Sequence, residues 1–428
     1  MASDNGGSAA SACQSGQTAL AVGLLKRFTE VTAGGNLVFS PLSIHVALAL
    51  MSAGASGDTL DEILAVAGAP SRGELEAFVR DTVVERTLAD RSRTGGPCVA
   101  FACGVWSDKR FPLKKAYRDT IVQTYKGDAW TVDFQNHPVE TRKQINAWVA
   151  KVTRNLIREV VDPHDQSKET LKVVANAIYF KGAWDQPFDK EQTVDHRKFH
   201  LLDGSSVPAF FMRRLRLDEE QIACHDGFKV LKLPYKVVDV RSPGFHWKQR
   251  ASLPKFSMCV FLPEARAGLP SLVSKMTSRP KFLLEHLPTK SVPVGDFRLP
   301  RFKLSFRSSI VDVLKSLGLR SPFVTSTTGL TEKMDGVQLF VGDVIHKAVI
   351  EVNEAGSEAA AYTEADYQAG CAAYVPPPKP VDFVADHPFA FFIIEETTST
   401  IVFSGHVLDP SKEEFFFFER SSKAGLLY

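Results

Sequence analysis

The chain predicts an α+β fold built as a single domain, and three observations carry that expectation. From Gln17 to Val161 apolar residues recur mainly at helical spacing, whereas from Leu171 onward they alternate or run continuously, as in strands. Helices first and strands later is the order of α+β domains with large antiparallel sheets. No low-complexity break divides the 428 residues before the C-terminus, so a composition 44% hydrophobic and 23% charged feeds one large core.

Ala21, Leu24, Leu25 and Phe28 fall at i, i+3, i+4 and i+7, which predicts a first helix over about Gln17 to Glu30, ended by Gly34-Gly35. A short strand, Asn36 to Phe39, runs into Ser40-Pro41, where Ser as N-cap and Pro at the first helical position start a second helix. Ile44, Val46, Leu48, Leu50 and Met51 go most of the way round that helix, so it is expected to be buried. Further helices are predicted over Gly73 to Ala89, within Phe111 to Gly127, and over Gln144 to Val161. Val99 to Trp106 reads as a strand, and the continuous apolar run Leu171 to Phe180 fits the middle of a sheet covered on both faces. Phe256 to Leu262, Phe302 to Phe306 and Val344 to Val352 read as strands, and Phe389 to Glu395 with Thr400 to Val407 as a hairpin-like pair. Ile310 to Leu317 is a helix stopped by Gly318. Val237 to Lys255, with Pro243, Gly244 and Pro254, reads as a long surface loop.

One stretch breaks the pattern. After the strand ending at Val352, Glu354 to Tyr374 precedes Pro376, Pro377, Pro378 and Pro380. Ser357, Ala359, Ala361, Thr363 and Ala365 are small, while Glu358, Ala360, Tyr362, Glu364 and Asp366 alternate with them and are mostly charged or bulky. That period of two belongs to a half-buried strand. The acid-rich composition, Gly356 and the prolines belong to an exposed loop. A segment with two states, exposed loop and inserted strand, reconciles them.

A formal net charge of +2 gives no case for a nucleic-acid or anionic-membrane partner, and runs such as Arg213-Arg214-Leu215-Arg216 read as solvated faces. No apolar run approaches the ~18–20 residues that span a bilayer. The polar N-terminus lacks the pattern of a secretory signal, and no Asn-x-Ser/Thr sequon occurs. Cys13, Cys98, Cys103, Cys224, Cys259 and Cys371 have no paired or zinc-like spacing, and Cys98 and Cys103 fall on opposite faces of one strand. Free thiols in an intracellular compartment, cytoplasmic or nucleocytoplasmic, are the expectation.

No cofactor, metal or catalytic group is expected. GxSxG, HExxH, P-loop and dinucleotide fingerprints are missing, and of the eleven histidines only His196 and His200 stand at i, i+4 spacing. Ser40 sits at a helix cap, and His346 shares a strand face with Val344, Ala348, Ile350 and Val352, which makes both structural rather than catalytic. Cys371 has no basic neighbour to lower its pKa. The chain is not expected to be an enzyme.

Six blocks in order resemble the serpin (serine protease inhibitor) family across about Gln17 to Pro410. They are Asn36 to Ile44; Asn146-Ala-Trp-Val149 with Thr153 and Ile157; Val174 to Trp184 with Phe188 and Thr193; His346 to Ala361; Asp386 to Phe389; and Phe403 to Pro410. The wording around Asp386-His-Pro-Phe389 is similar to plant serpins of the Z group. The resemblance implies about eight or nine helices around three β-sheets. It places a serpin domain over 14–410, an exposed reactive-centre loop over 354–380, and a C-terminal extension over 411–428 for which no role is derived. It also implies a mechanism. A target endopeptidase of serine or cysteine type attacks the loop and forms an acyl-enzyme, and the cut loop inserts into the main sheet, distorting the protease. A monomer is expected, with the protease as its partner.

By resemblance the loop hinge comprises Glu354, Gly356, Ser357, Glu358, Ala359, Ala360, Ala361, Tyr362 and Thr363. Ser40, Ser43, Asn176 and His346 form the polar network under the opening sheet, and Trp184 lies near its upper end. The family's count from Glu354 sets the reactive bond at Gly370–Cys371, with Cys371–Ala372 and Ala369–Gly370 as near alternatives. None presents Arg or Lys, so the deep acidic pockets of trypsin-like proteases would stay unfilled, and proteases preferring small residues are expected instead. Tyr362 and Asn155 depart from the family's small hinge residue and helix-end Gly, although Asn tolerates left-handed backbone. About ten new ladder bonds at ~0.5–1.5 kcal/mol each would release on the order of 10 kcal/mol, comparable with a domain's whole stability. The alternative is a non-inhibitory serpin with a binding, storage or chaperone-like role.

Overall fold

The computed structural model describes residues 5–413 except 33, 163–171, 216–217, 238–252, 325–340 and 357–378. Residues 238–252 of the expected surface loop and 414–428 of the tail therefore lie outside the described residues.

A five-stranded sheet stands at the centre, in the order Phe302–Ser309, Asp343–Val352, Lys172–Lys181, Cys98–Asp108, Asp128–Val132. Asp343–Val352 and Lys172–Lys181 run parallel, in register from Asp343↔Val173 to Ile350↔Phe180. Each has an antiparallel neighbour on its other side, Phe302–Ser309 and Cys98–Asp108 respectively. The two parallel strands are thus interior to the sheet. Both are buried along nearly their whole length, as the continuous apolar run predicts.

The core face of this sheet packs on helix Pro41–Ala53, where every residue from Pro41 to Ser52 is buried. Ser40 caps it as expected, its side chain accepting from the Ser43 N–H. A separate apolar cluster fills the opposite face. There Ile345, Val349, Ala175 and Tyr179 meet Ile145, Val149, Ile157 and Val160. Those come from helix Pro138–Val152 and the segment after it. This corrects the helix predicted over Gln144 to Val161, which starts earlier and stops at Val152. The chain turns at Arg154 (φ 53) and Asn155 (φ 63), so Asn155 adopts the left-handed backbone its side chain tolerates. The periodicity misleads because Ile157, Val160 and Val161 are buried by a non-helical segment lying on the sheet.

The first helix also differs from the reading, spanning Asn5–Val31. Tertiary contacts anchor its middle. Gln17 exchanges two buried hydrogen bonds with the Ile401 backbone (2.8 and 3.2 Å), and Gly16 lies so close to Gly68 that an added Cβ would sit 2.4 Å from the Gly68 carbonyl oxygen. Helix Asp58–Ala67 carries no expectation from the sequence reading. The helix expected from Gly73 runs as Arg72–Ala77 and continues as a π-helical stretch, Phe78–Thr87.

The remaining strands form one connected ten-stranded sheet. Two of the three expected sheets are joined through Ser291–Pro300. Its first residues pair Glu219–His225, and its last pair Ser206–Arg213. Phe389–Glu395 and Thr400–Val407 pair antiparallel as predicted. Ten α-helical segments occur among the described residues.

Candidate functional site

The parallel seam between Asp343–Val352 and Lys172–Lys181 carries polar groups at two places. Midway, His346 and Asn176 are register partners. Ser40 N–H donates to His346 Nε2 (3.1 Å), so that nitrogen is bare and the ring proton sits on Nδ1, 2.5 Å from Asn176 Oδ1. Ser43 Oγ lies 3.3 Å from Asn176 Oδ1, and Asn176 Nδ2 donates to the Ser43 carbonyl at 3.3 Å. Ser40 Oγ donates to Val402 O at 2.6 Å. The capped helix start, both seam strands and Thr400–Val407 therefore meet in one buried network. Burial pushes the His346 pKa down to about 3, so the imidazole is neutral. Its bond to Asn176 is a side-chain link from one seam strand to the other.

The second place is the upper end. Asn353 and Gly356 exchange backbone hydrogen bonds (3.0 and 3.1 Å), closing a tight turn directly after Val352. Gly356 also forms an antiparallel bridge with Ala183, just beyond the end of Lys172–Lys181. At Gly356 the chain thus runs antiparallel to both seam strands and lies between their ends. Its φ is +110°, and an added Cβ would meet Gly182 O at 2.3 Å and Trp184 N at 2.6 Å. Only glycine fits there.

Trp184 secures the turn. Its indole N–H donates to Asn353 O (2.9 Å), its backbone N–H to Ala355 O (3.1 Å), and its ring stacks on Tyr235 at 4.5 Å. Glu354 is buried, accepting from Thr193 Oγ1 (2.7 Å) and pairing with Arg301 (3.4 Å). Phe188 N–H donates to Glu354 O at 2.8 Å.

The structure brings Ser40, Ser43, Asn176 and His346 together and puts Trp184 with Glu354 and Gly356 at the seam's upper end. Ser357, Glu358, Ala359, Ala360, Ala361, Tyr362, Thr363, Gly370 and Cys371 lie outside the described residues. Sequence reasoning missed Tyr235, Asn353 and Arg301. The alternation of Phe228–Pro234 was the available signal for Tyr235, since it marks a strand ending at that ring. The outer face of the seam is covered rather than open to solvent. Lys347 donates to Glu159 O (2.7 Å) and Arg307 to Val160 O (2.6 Å), so the segment after helix Pro138–Val152 lies over it.

A sequence model described as Serpin (serine protease inhibitor) matches residues 15–410. The chain is 48% identical over 415 residues to putative serpin-Z8 of Oryza sativa subsp. japonica, covering 94% of this chain and 97% of that protein. With Serpin-Z2A of the same species it shares 45% over 420 residues, covering 92% and 97%. Among solved structures, an Arabidopsis serpin in its native stressed conformation superposes with a TM-score of 0.82 at 36% identity, covering 94% of this chain and 98% of the other.

Proposed function

This chain belongs to the serpin family, and from that premise we propose that it is a suicide inhibitor whose cleaved loop enters the seam between Asp343–Val352 and Lys172–Lys181. One observation carries the reading. Gly356 already runs antiparallel between the two strand ends, the direction an inserted strand must take. Continued in the register that Gly356 sets, Ala359 falls between Ile350 and Phe180, Ala361 between Ala348 and Ile178, and Thr363 between His346 and Asn176. The whole small set, Ser357 to Ala365, lands on the core face, where side-chain volume is limiting. Thr363 would then offer a hydroxyl where the His346–Asn176 bond is broken. Insertion replaces one parallel ladder by two antiparallel ones, which supplies the driving force.

The target in this reading is a serine or cysteine endopeptidase with a small-residue preference, because Ala369, Gly370, Cys371 and Ala372 offer no cation. A protease panel with mass mapping of the cut tests it. The expected result is an SDS-stable covalent complex, cleavage within 369–372 and a raised thermal midpoint of the cleaved chain. Cleavage by every protease without complex formation would overturn inhibition.

A further inference from the structure

Away from the seam, a cleft of about 520 Å³ opens where three strands meet, Val194–His200, Ser206–Arg213 and Ser291–Pro300. Four arginines line it, Arg197, Arg213, Arg214 and Arg298, with Asp296 and Asp382. Their commitments differ. Arg298 is paired with Asp296, and Asp382 Oδ1 accepts from the Asp296 N–H at 2.7 Å. Arg214 is spent on Glu220, on the carbonyls of Pro187 (2.7 Å) and Gln186 (2.6 Å), and on the Phe188 ring. Arg213 and Arg197 are exposed and have no acidic partner among the described residues.

Arg213 is the direct cross-strand partner of Arg298, and like charges placed so repel. The strand carrying Arg197 is bulged beside it, with His196 in left-handed backbone at φ 54. Gly295 forms part of the wall, where a Cβ would sit 2.1 Å from Asp382 Oδ1, so that carboxylate is held against the strand. The result is a concave site of ligand-pocket size with two uncommitted guanidinium forks, the geometry that takes oxyanions bidentately.

We propose that this cleft binds a compact multivalent oxyanion through Arg213 and Arg197, with Arg298 completing the wall. No lining group belongs to the seam, although Pro380, the last residue of the expected reactive-centre loop, forms part of the rim. The shared chemistry is a cluster of anionic oxygens, so pyrophosphate, sulfate and citrate serve as probes in isothermal titration at matched ionic strength. Saturable one-to-one binding of at least one probe is expected, weakened about tenfold or more by Arg213→Ala and by Arg197→Ala. Arg213→Lys should recover only part, since an ammonium keeps the charge and loses the fork. Lys198→Ala, on the same strand outside the cleft, should change nothing. No saturable binding of any probe would overturn the proposal, as would binding that survives both arginine substitutions. Binding of an acidic polypeptide such as poly-glutamate in place of all three probes would also overturn it, in favour of a macromolecular partner.

Discussion

Asn176→Ala tests whether the network midway along the seam holds the two strands together. The substitution removes the acceptor of His346 Nδ1–H at 2.5 Å and two weaker contacts with Ser43 at 3.3 Å. The remaining acceptor within reach is Ser43 Oγ, at a weak 3.4 Å, because Ser40 N–H occupies the other nitrogen, so the ring proton is left nearly unpaired. A buried donor left without a partner costs about 1–3 kcal/mol, and the bonds to Ser43 add about 0.5–1.5 kcal/mol each at most. A loss of about 3 kcal/mol is expected. With an unfolding entropy of roughly 2.1 cal/mol/K per residue, a chain this long should lose about 3–4 °C in thermal midpoint at a fixed scan rate. Because the lost bond spans the strands that part in the proposed insertion, uncleaved protein should also convert to a loop-inserted form up to about a hundredfold faster at 37 °C, followed on native gels. Ser40→Ala is the control. It removes a helix cap and a bond to Val402 O worth about 1 kcal/mol but leaves the strand-to-strand link intact. An Asn176→Ala protein that melts like the parent, or converts no faster than Ser40→Ala, would refute a strand-to-strand role for this bond.

Three further outcomes follow from the same geometry. Burial lowers the pKa values of His45 and His406 to about 4 and of His346 to about 3, below the ~6.5 of an unfolded histidine. The unfolded chain therefore binds more protons, and each group should cost about 1.4 kcal/mol per pH unit as pH falls from about 6.5 toward 4. Thermal melts across that range should show the loss, with a slope shallower in His346→Gln; a midpoint flat from pH 7 to 5 would contradict it. Gly356→Ala forces a side chain into left-handed backbone against Gly182 O, so the turn should leave the seam. Faster hydrogen exchange at Asn353 and Gly356 is the expected signature, and unchanged protection would refute it. Lys347, buried opposite Arg307 in register, has its pKa lowered to about 8, first by burial and then by that neighbour. Its folded value lies below the unfolded ~10.4, so stability should rise as pH climbs from about 8 to 10. Lys347→Met should abolish that rise. A chemical-denaturation series at pH 7 and 9.5 decides the point.

Local chemistry made much of this protein legible in one dimension. Ser40-Pro41 starts a helix wherever it stands ahead of an apolar run, because hydroxyl capping and a fixed proline φ need no distant partner. The apolar run Lys172–Lys181 sits mid-sheet because continuous hydrophobicity is tolerable only when both faces are covered. Asn155 takes left-handed backbone for reasons contained in its own side chain. The period of two in Ser357 to Ala365 likewise states a strand's requirements before any sheet is known. Long-range docking decided the rest. The first helix, starting at Asn5, is anchored where Gln17 meets Ile401 and Gly16 meets Gly68. The run Leu156 to Val161 keeps helical spacing yet lies as a non-helical segment, since the apolar face of the sheet beneath it is what buries Ile157, Val160 and Val161. Tyr235, Trp184 and Asn353 become one site only where three separate chain segments converge. The antiparallel bridge of Gly356 to Ala183, on which the proposed direction of insertion rests, joins residues far apart in sequence. A periodicity can say that a segment is fit to be a strand. Which two strands it enters, and in what register, depends on neighbours that only folding brings together.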